Sequence, residues 1–266
     1  MDENKNIFEE PARYNLSHVQ IVNWDVSLWE KIDPLRLREE AERRKITVNS
    51  IWVGYSGKVT WNFIEGPSTI GLVPRETREK RIMELLDGAH FASRFGAKAI
   101  VTHLGFLPEN CRNPLYIETV DTVGEIAREL EKMGLDFWFE TGQETPVTLL
   151  RLIEDVGMSN TGINLDPANL VMYGKANPVD SLDVFGRHVR SLHIKDGLYP
   201  TTGKALGQEV PPGKGKVDFS GLLSRLCKLG FSGDLIIERE LSGGDKDSEI
   251  LSTISLLNSL IRNNPE

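Results

Sequence analysis

The chain has 266 residues, 39% hydrophobic and 26% charged, with a formal net charge of −8 and a pI near 5.3. That length suits one (β/α)8 barrel domain spanning 1–266 and buries a sizeable core unaided, which excludes a disordered chain. The acidic balance, with no basic run interleaved with aromatics, argues against a nucleic acid partner, and the lack of any stretch of about 18 apolar residues argues against a membrane span.

The first ten residues, MDENKNIFEE, are acidic and carry no basic region followed by an apolar one, so a soluble, cytoplasmic protein is expected. Short apolar runs then alternate with longer segments of helical period, the pattern of parallel strands joined by helices. Strands are predicted at 18–22, 46–53, 98–105, 136–140, 162–166, 189–196 and 234–239. Helices are predicted at 35–45, opened by Asp33-Pro34, and at 75–95, closed by Gly96. Further helices fall at 116–133, 147–156 and 220–229, each followed by glycine, and at 245–262.

Seven strands are one short of a regular barrel. The polar start holds no candidate for the first, so it is absent or irregular, its place taken by rearranged N-terminal chain or by a partner subunit, with missing sequence an equal alternative. The longest loops, 54–74 and 197–217, follow strand ends and should wall the catalytic face. Cys111 and Cys227 lie far apart without metal spacing and read as buried or idle thiols.

Four strands end in a side chain able to bind metal: Glu140 in FWFE, Asp166 in GINLD, His193 in SLHIKD and Glu238 in LIIERE. Consecutive barrel strands would aim these groups into one ring, where three carboxylates repel unless a cation sits among them. Three oxygen donors and one imidazole favour Mn2+, with Mg2+, Co2+ and Zn2+ as the other candidates for the divalent ion. Lys195 shares a strand face with His193 and is read either as a substrate contact or as the ion-pair partner of Asp196 or Glu238.

Taken with VTHLGF around His103, LDPANL, HIKD, GKGKVDF and IIERE, the chain resembles the xylose isomerase-like barrel superfamily. That superfamily includes sugar phosphate isomerases, ketose 3-epimerases and type IV apurinic endonucleases. The resemblance implies that Glu140, Asp166, His193 and Glu238 hold a catalytic metal and that Glu140 and Glu238 act as an acid and base pair. It implies a small carbohydrate substrate and proton transfer through a metal-stabilised enediolate, giving a sugar or sugar phosphate isomerase or epimerase. A dehydratase or lyase using the same site, or a carbohydrate-binding barrel without turnover, are the alternatives, and a homo-oligomer is expected by analogy.

The family's substrate-binding histidine three residues after the strand-end aspartate is Asn169 here, still able to donate a hydrogen bond to a sugar hydroxyl. Neither residues 53–56 nor the segment after His193 offers the further histidines of a trinuclear zinc site, which disfavours phosphodiester cleavage. His103 matches a family position and is read as a substrate contact, a donor to the metal ligands, or a satisfied rim histidine. Trp138 should pack inward beneath Glu140. Trp52, Tyr55 and Trp61 are candidates for an apolar wall or for core, and Lys214 sits in a glycine-rich turn resembling a phosphate cradle.

Overall fold

The computed structural model describes residues 6–263; the acidic start at 1–5, read above for a leader, and residues 264–266 lie outside the described part. Seven parallel strands pair in chain order: β1 His18–Asn23, β2 Thr47–Val53, β3 Ala99–Thr102, β4 Asp136–Glu140, β5 Thr161–Leu165, β6 Val189–Ile194 and β9 Asp234–Ile237. After β6, β7 Asp196–Gly197 and β8 Glu209–Val210 form a two-residue antiparallel ribbon.

Helices surround the sheet. α1 Glu9–Arg13 precedes β1, α2 Leu28–Lys31 and α3 Pro34–Arg43 precede β2, and α4 Gly66–Thr69 and α5 Arg75–Phe95 precede β3. α6 Pro114–Lys132, α7 Pro146–Val156 and the pair α8 Pro167–Met172 and α9 Pro178–Phe185 fill the next three crossovers. α10 Phe219–Lys228 precedes β9, and α11 Lys246–Asn263 comes last. The sequence signals act locally: Asp33, Asn113, Thr145 and Asn177 each cap a helix through a first-turn amide with proline just inside. Gly96 and Gly157 end α5 and α7 in the left-handed conformation. No helix among the described residues is long and apolar enough to cross a membrane.

The two-residue period of each strand sorts its side chains between two layers. In β4, Phe137 and Phe139 join the apolar layer under the helices, while Trp138 packs with Trp52, Ala99 and Val101 inside the barrel. The interior is therefore filled, as a packed barrel requires, and its polar residues collect toward the strand ends.

Closure is irregular, because β1 and β9 are the outer strands and make no ladder to each other. Among the described residues before β1 there is no strand: they form α1, and Ile7, Phe8 and Pro11 meet Leu235, Ile250 and Leu257 around a cavity of about 550 Å³ at the seam. Side chains bridge the gap instead. Asn49 Nδ2 donates to Asp234 Oδ2 at 2.9 Å near one end, and Gln20 Oε1 lies 3.0 Å from His193 Nε2 near the other. The molecule is a nearly closed TIM barrel with seven parallel strands.

Candidate metal centre

Glu140 closes β4, Asp166 follows β5, His193 lies in β6 and Glu238 follows β9, so four strand ends contribute one group each. One ligating atom from each lies within 4.8 Å of the others. Glu140, Asp166 and His193 are buried and Glu238 partly so. Two of these ends are clasped together: Thr141 Oγ1 donates to the Asp166 carbonyl at 2.8 Å and accepts from the Asp166 amide at 2.9 Å. Asp166 Oδ1 in turn accepts the Asn169 amide at 2.9 Å, capping α8, which fixes the carboxylate with Oδ2 free.

Burial pushes Glu140 up to about 8, and the neighbouring Glu238 and Asp166 charges push the same way against the opposing pull of His193. Burial would also raise Glu238, but His193 and Lys195 outweigh it and hold that carboxyl well below its usual range. Burial alone would discharge His193 and Lys195, yet the surrounding carboxylates, Glu238 foremost, raise both well above their ordinary values. The site thus carries more acidic groups than its own cations neutralise.

Three buried atoms of the ring are turned on one another: Asp166 Oδ2, His193 Nδ1 and Glu238 Oε2. Nδ1 lies 2.7 Å from Glu238 Oε2, 3.8 Å from Asp166 Oδ2 and 3.8 Å from Glu140 Oε1. Nδ1 and Glu238 Oε2 pair with each other, whereas Asp166 Oδ2 makes no hydrogen bond, which costs a buried polar atom about 1–3 kcal/mol; a cation bound among the three would satisfy it. The donor set of three carboxylates and one imidazole fits a divalent ion.

The other residues singled out from sequence gather round Glu140. Asn169 Nδ2 donates to Glu140 Oε1 at 3.2 Å. His103 donates from Nδ1 to the Glu140 carbonyl at 3.2 Å and brings Nε2 to 3.5 Å from Glu140 Oε1, while burial lowers its pKa to about 4 and keeps the ring neutral. Lys195 sits 3.5 Å from Asp166, 3.4 Å from Glu238 and 2.5 Å from Glu240.

Of the two ion-pair partners offered for Lys195, Asp196 is ruled out, because its oxygens are taken. Oδ1 accepts the amides of Gly197 and Val217, and Oδ2 those of Gly213 and Gly215, at 2.8–3.0 Å. A Cβ at Gly215 would fall 2.1 Å from that carboxylate, so only glycine fits there. The GKGK turn is therefore a cradle for an internal aspartate, and it ties down the loop that carries β8 against the site.

A cleft of about 240 Å³ opens above the ring, lined by Trp24, Trp61, His103, Glu140, Asn169 and Lys195 among others. Trp24 packs on Trp52 with ring centroids 4.6 Å apart, and Trp61 lies 5.3 Å from His103. Trp52 is both wall and donor, giving its indole N–H to Glu140 Oε2. Tyr55 belongs to the core: its hydroxyl accepts the Gly71 amide at 2.7 Å and Arg81 covers its ring. The two cysteines are exposed, not buried. Gln20, Trp24, Gln143, Glu209 and Glu240 escaped the sequence reading, although Glu240 lies two residues beyond Glu238, the spacing that keeps a strand face.

Residues 8–260 match the family model described as the xylose isomerase-like TIM barrel. The chain belongs to that family. A crystal structure of a xylose isomerase domain protein from Planctomyces limnophilus superposes with a TM-score of 0.86 at 34% identity, covering 96% of this chain and 91% of that one. An uncharacterized protein of Methanocaldococcus jannaschii is 23% identical over 197 residues, 70% of this chain and 64% of the relative. An Escherichia coli protein provisionally named L-ribulose-5-phosphate 3-epimerase is 37% identical over 75 residues, 27% of this chain and 26% of that one. The matches to these curated relatives span less than two thirds of their length.

Proposed function

We propose that the protein is a divalent-metal-dependent sugar isomerase or epimerase that moves a proton at a carbon beside a carbonyl. The observation that carries this reading is the ring of Glu140, Asp166, His193 and Glu238, whose ligating atoms are turned on one another at the floor of an aromatic-walled cleft. Those four residues would hold the ion, with Mn2+ as the ion proposed; when bound, it supplies Lewis-acid polarisation of a substrate carbonyl.

Glu140 and Glu238 are the proposed acid and base. They reach the cleft from separate strands, and their surroundings push their proton affinities in opposite directions. One takes a carbon-bound proton and the other returns one: to the opposite face for epimerisation, or to the neighbouring carbon for aldose and ketose interconversion. Asn169 and His103 steady Glu140 and offer polar atoms to sugar hydroxyls, and Lys195 does the same beside Glu238. Membership of the family and the E. coli relative's name support a carbohydrate substrate.

The test is solvent exchange. Ketoses incubated with the protein and Mn2+ in heavy water should take up deuterium beside the carbonyl, and Glu140→Gln and Glu238→Gln should each abolish uptake with an unchanged circular dichroism spectrum. Full exchange in both variants would reject these roles.

A further inference from the structure

Three devices can hold a phosphate in a protein: a free Arg or Lys, an uncapped helix N-terminus, and a nest of backbone amides. Around this cleft all three are already engaged by the protein's own carboxylates. Lys195 is the one Lys or Arg among the residues lining the cleft, and its ammonium is shared by Glu240, Glu238 and Asp166. The start of α8, which follows directly from the metal ring, is capped by Asp166 Oδ1. The amide nest at 213–217 is filled by both oxygens of Asp196, and its Lys214 and Lys216 are exposed and outside the lining.

Every other charged residue of the lining is acidic, and Trp24, Trp52, Trp61 and Tyr173 add aromatic faces. Glu140, Glu209, Glu238 and Glu240 all face the cleft, against the single ammonium. Glu209 and Glu240 are not in the metal ring, and although Glu240 pairs with Lys195, the carboxylates of ring and wall together would still outnumber the charges of a divalent ion and that one ammonium. Glu209 is fixed there by accepting the Glu240 amide at 3.0 Å. The same cleft is lined by Trp24 and Trp61, 39% and 42% exposed, with ring centroids 6.0 Å apart. Exposed indole faces suit the C–H face of a neutral sugar, whereas a dianion brought beside two carboxylates is repelled.

We propose that the cleft selects an uncharged ketose or polyol, laid against Trp24 and Trp61, and rejects the corresponding phosphate esters because Glu209 and Glu240 line it. This rests on the cleft being the sugar site of the proposed function. It separates the chain's substrate class from the phosphorylated one in the name of its E. coli relative.

Calorimetric titration of the full chain, with and without Mg2+, compares matched pairs: L-ribulose with L-ribulose 5-phosphate, and D-fructose with D-fructose 6-phosphate. At least one free ketose should bind, and its ester should bind at least about tenfold more weakly, the effect of one like-charge contact costing ~1.4 kcal/mol. In a Glu209→Gln, Glu240→Gln double variant the ratio of free sugar to ester affinity should fall several-fold. An ester that binds as tightly as its free sugar overturns the proposal, as does failure of every free ketose to bind, or an unchanged ratio in the double variant. Deuterium exchange in the same samples keeps the two readings apart: selective binding of free ketose without exchange rejects the catalytic reading and leaves the selectivity standing.

Discussion

His193 Nε2 lies 3.0 Å from Gln20 Oε1, and this contact decides which nitrogen of the imidazole faces the acidic ring. A carbonyl oxygen can only accept, so Nε2 carries a proton, and Nδ1 is the nitrogen turned toward Glu140, Asp166 and Glu238, free to ligate an ion once its own proton is displaced. The Asn164 side-chain amide is also 2.9 Å from Nε2, and its Oδ1 has no partner. Turning that amide end for end gives the N–H a second acceptor. Gln20 is itself held, donating to Ser50 Oγ at 2.9 Å.

Gln20→Met should therefore leave the barrel folded but lower divalent-ion affinity about 10- to 100-fold, the usual cost of losing the partner that orients a ligating histidine. Calorimetry with Mn2+ on wild type and variant measures it. Equal affinities would mean the imidazole is oriented by other contacts.

The four groups of the ring were legible in sequence because each ends an apolar run, and the two-residue period aims strand-end side chains inward. Gln20 was not, and Trp52 was legible as a wall but not as a donor to Glu140, since their partners His193 and Glu140 are 173 and 88 residues away and no local pattern marks such a pair. Seven strands were countable from apolar runs alone, but the two-residue ribbon of β7 and β8 is too short to leave a periodic signal. The GKGK turn shows the limit in another form: its glycines announce an amide nest, while the occupant, Asp196, is identified only by the fold.

Asp196→Ala should loosen the loop at 198–217 without unfolding the barrel. Four amides lose their acceptor at once, and each buried unsatisfied amide costs about 1–3 kcal/mol unless the loop opens to water. Limited proteolysis should cut the variant within 198–217 and spare the wild type. Equal resistance in both would show that the loop is held by other contacts.

Glu144 is buried, its Oε2 has no partner, and burial raises its pKa to about 7. A carboxyl with a raised pKa binds its proton more tightly in the folded state. Its stability contribution is fully present below the ordinary carboxylate range and is lost as pH rises through about 7. Urea unfolding from pH 4.5 to 8 should show wild type falling relative to Glu144→Gln by ~3 kcal/mol, at 1.36 kcal/mol per pKa unit. A stability difference that does not vary with pH would reject the shift.

The crowding that makes the ring able to hold an ion also makes it a weak point of the apoprotein. Glu140, raised to about 8 chiefly by burial and then by Glu238 and Asp166, keeps its proton at neutral pH and loses it above, so its ionisation destabilises the fold as pH climbs through 8. Glu140→Gln keeps the shape and removes that charge, and it should be more stable than wild type at pH 9 without added metal. Wild type should gain about 2.7 kcal/mol at an ion concentration one hundred times the dissociation constant, a rise in melting temperature of roughly 5–10 °C for a chain of this size. The variant, short of one ligand, should lose most of that rise. Thermal melts with Mn2+ and with chelator at pH 7 and 9 test both halves together. A wild type whose melting temperature ignores Mn2+, or a variant that gains as much from it, would remove the metal from this site.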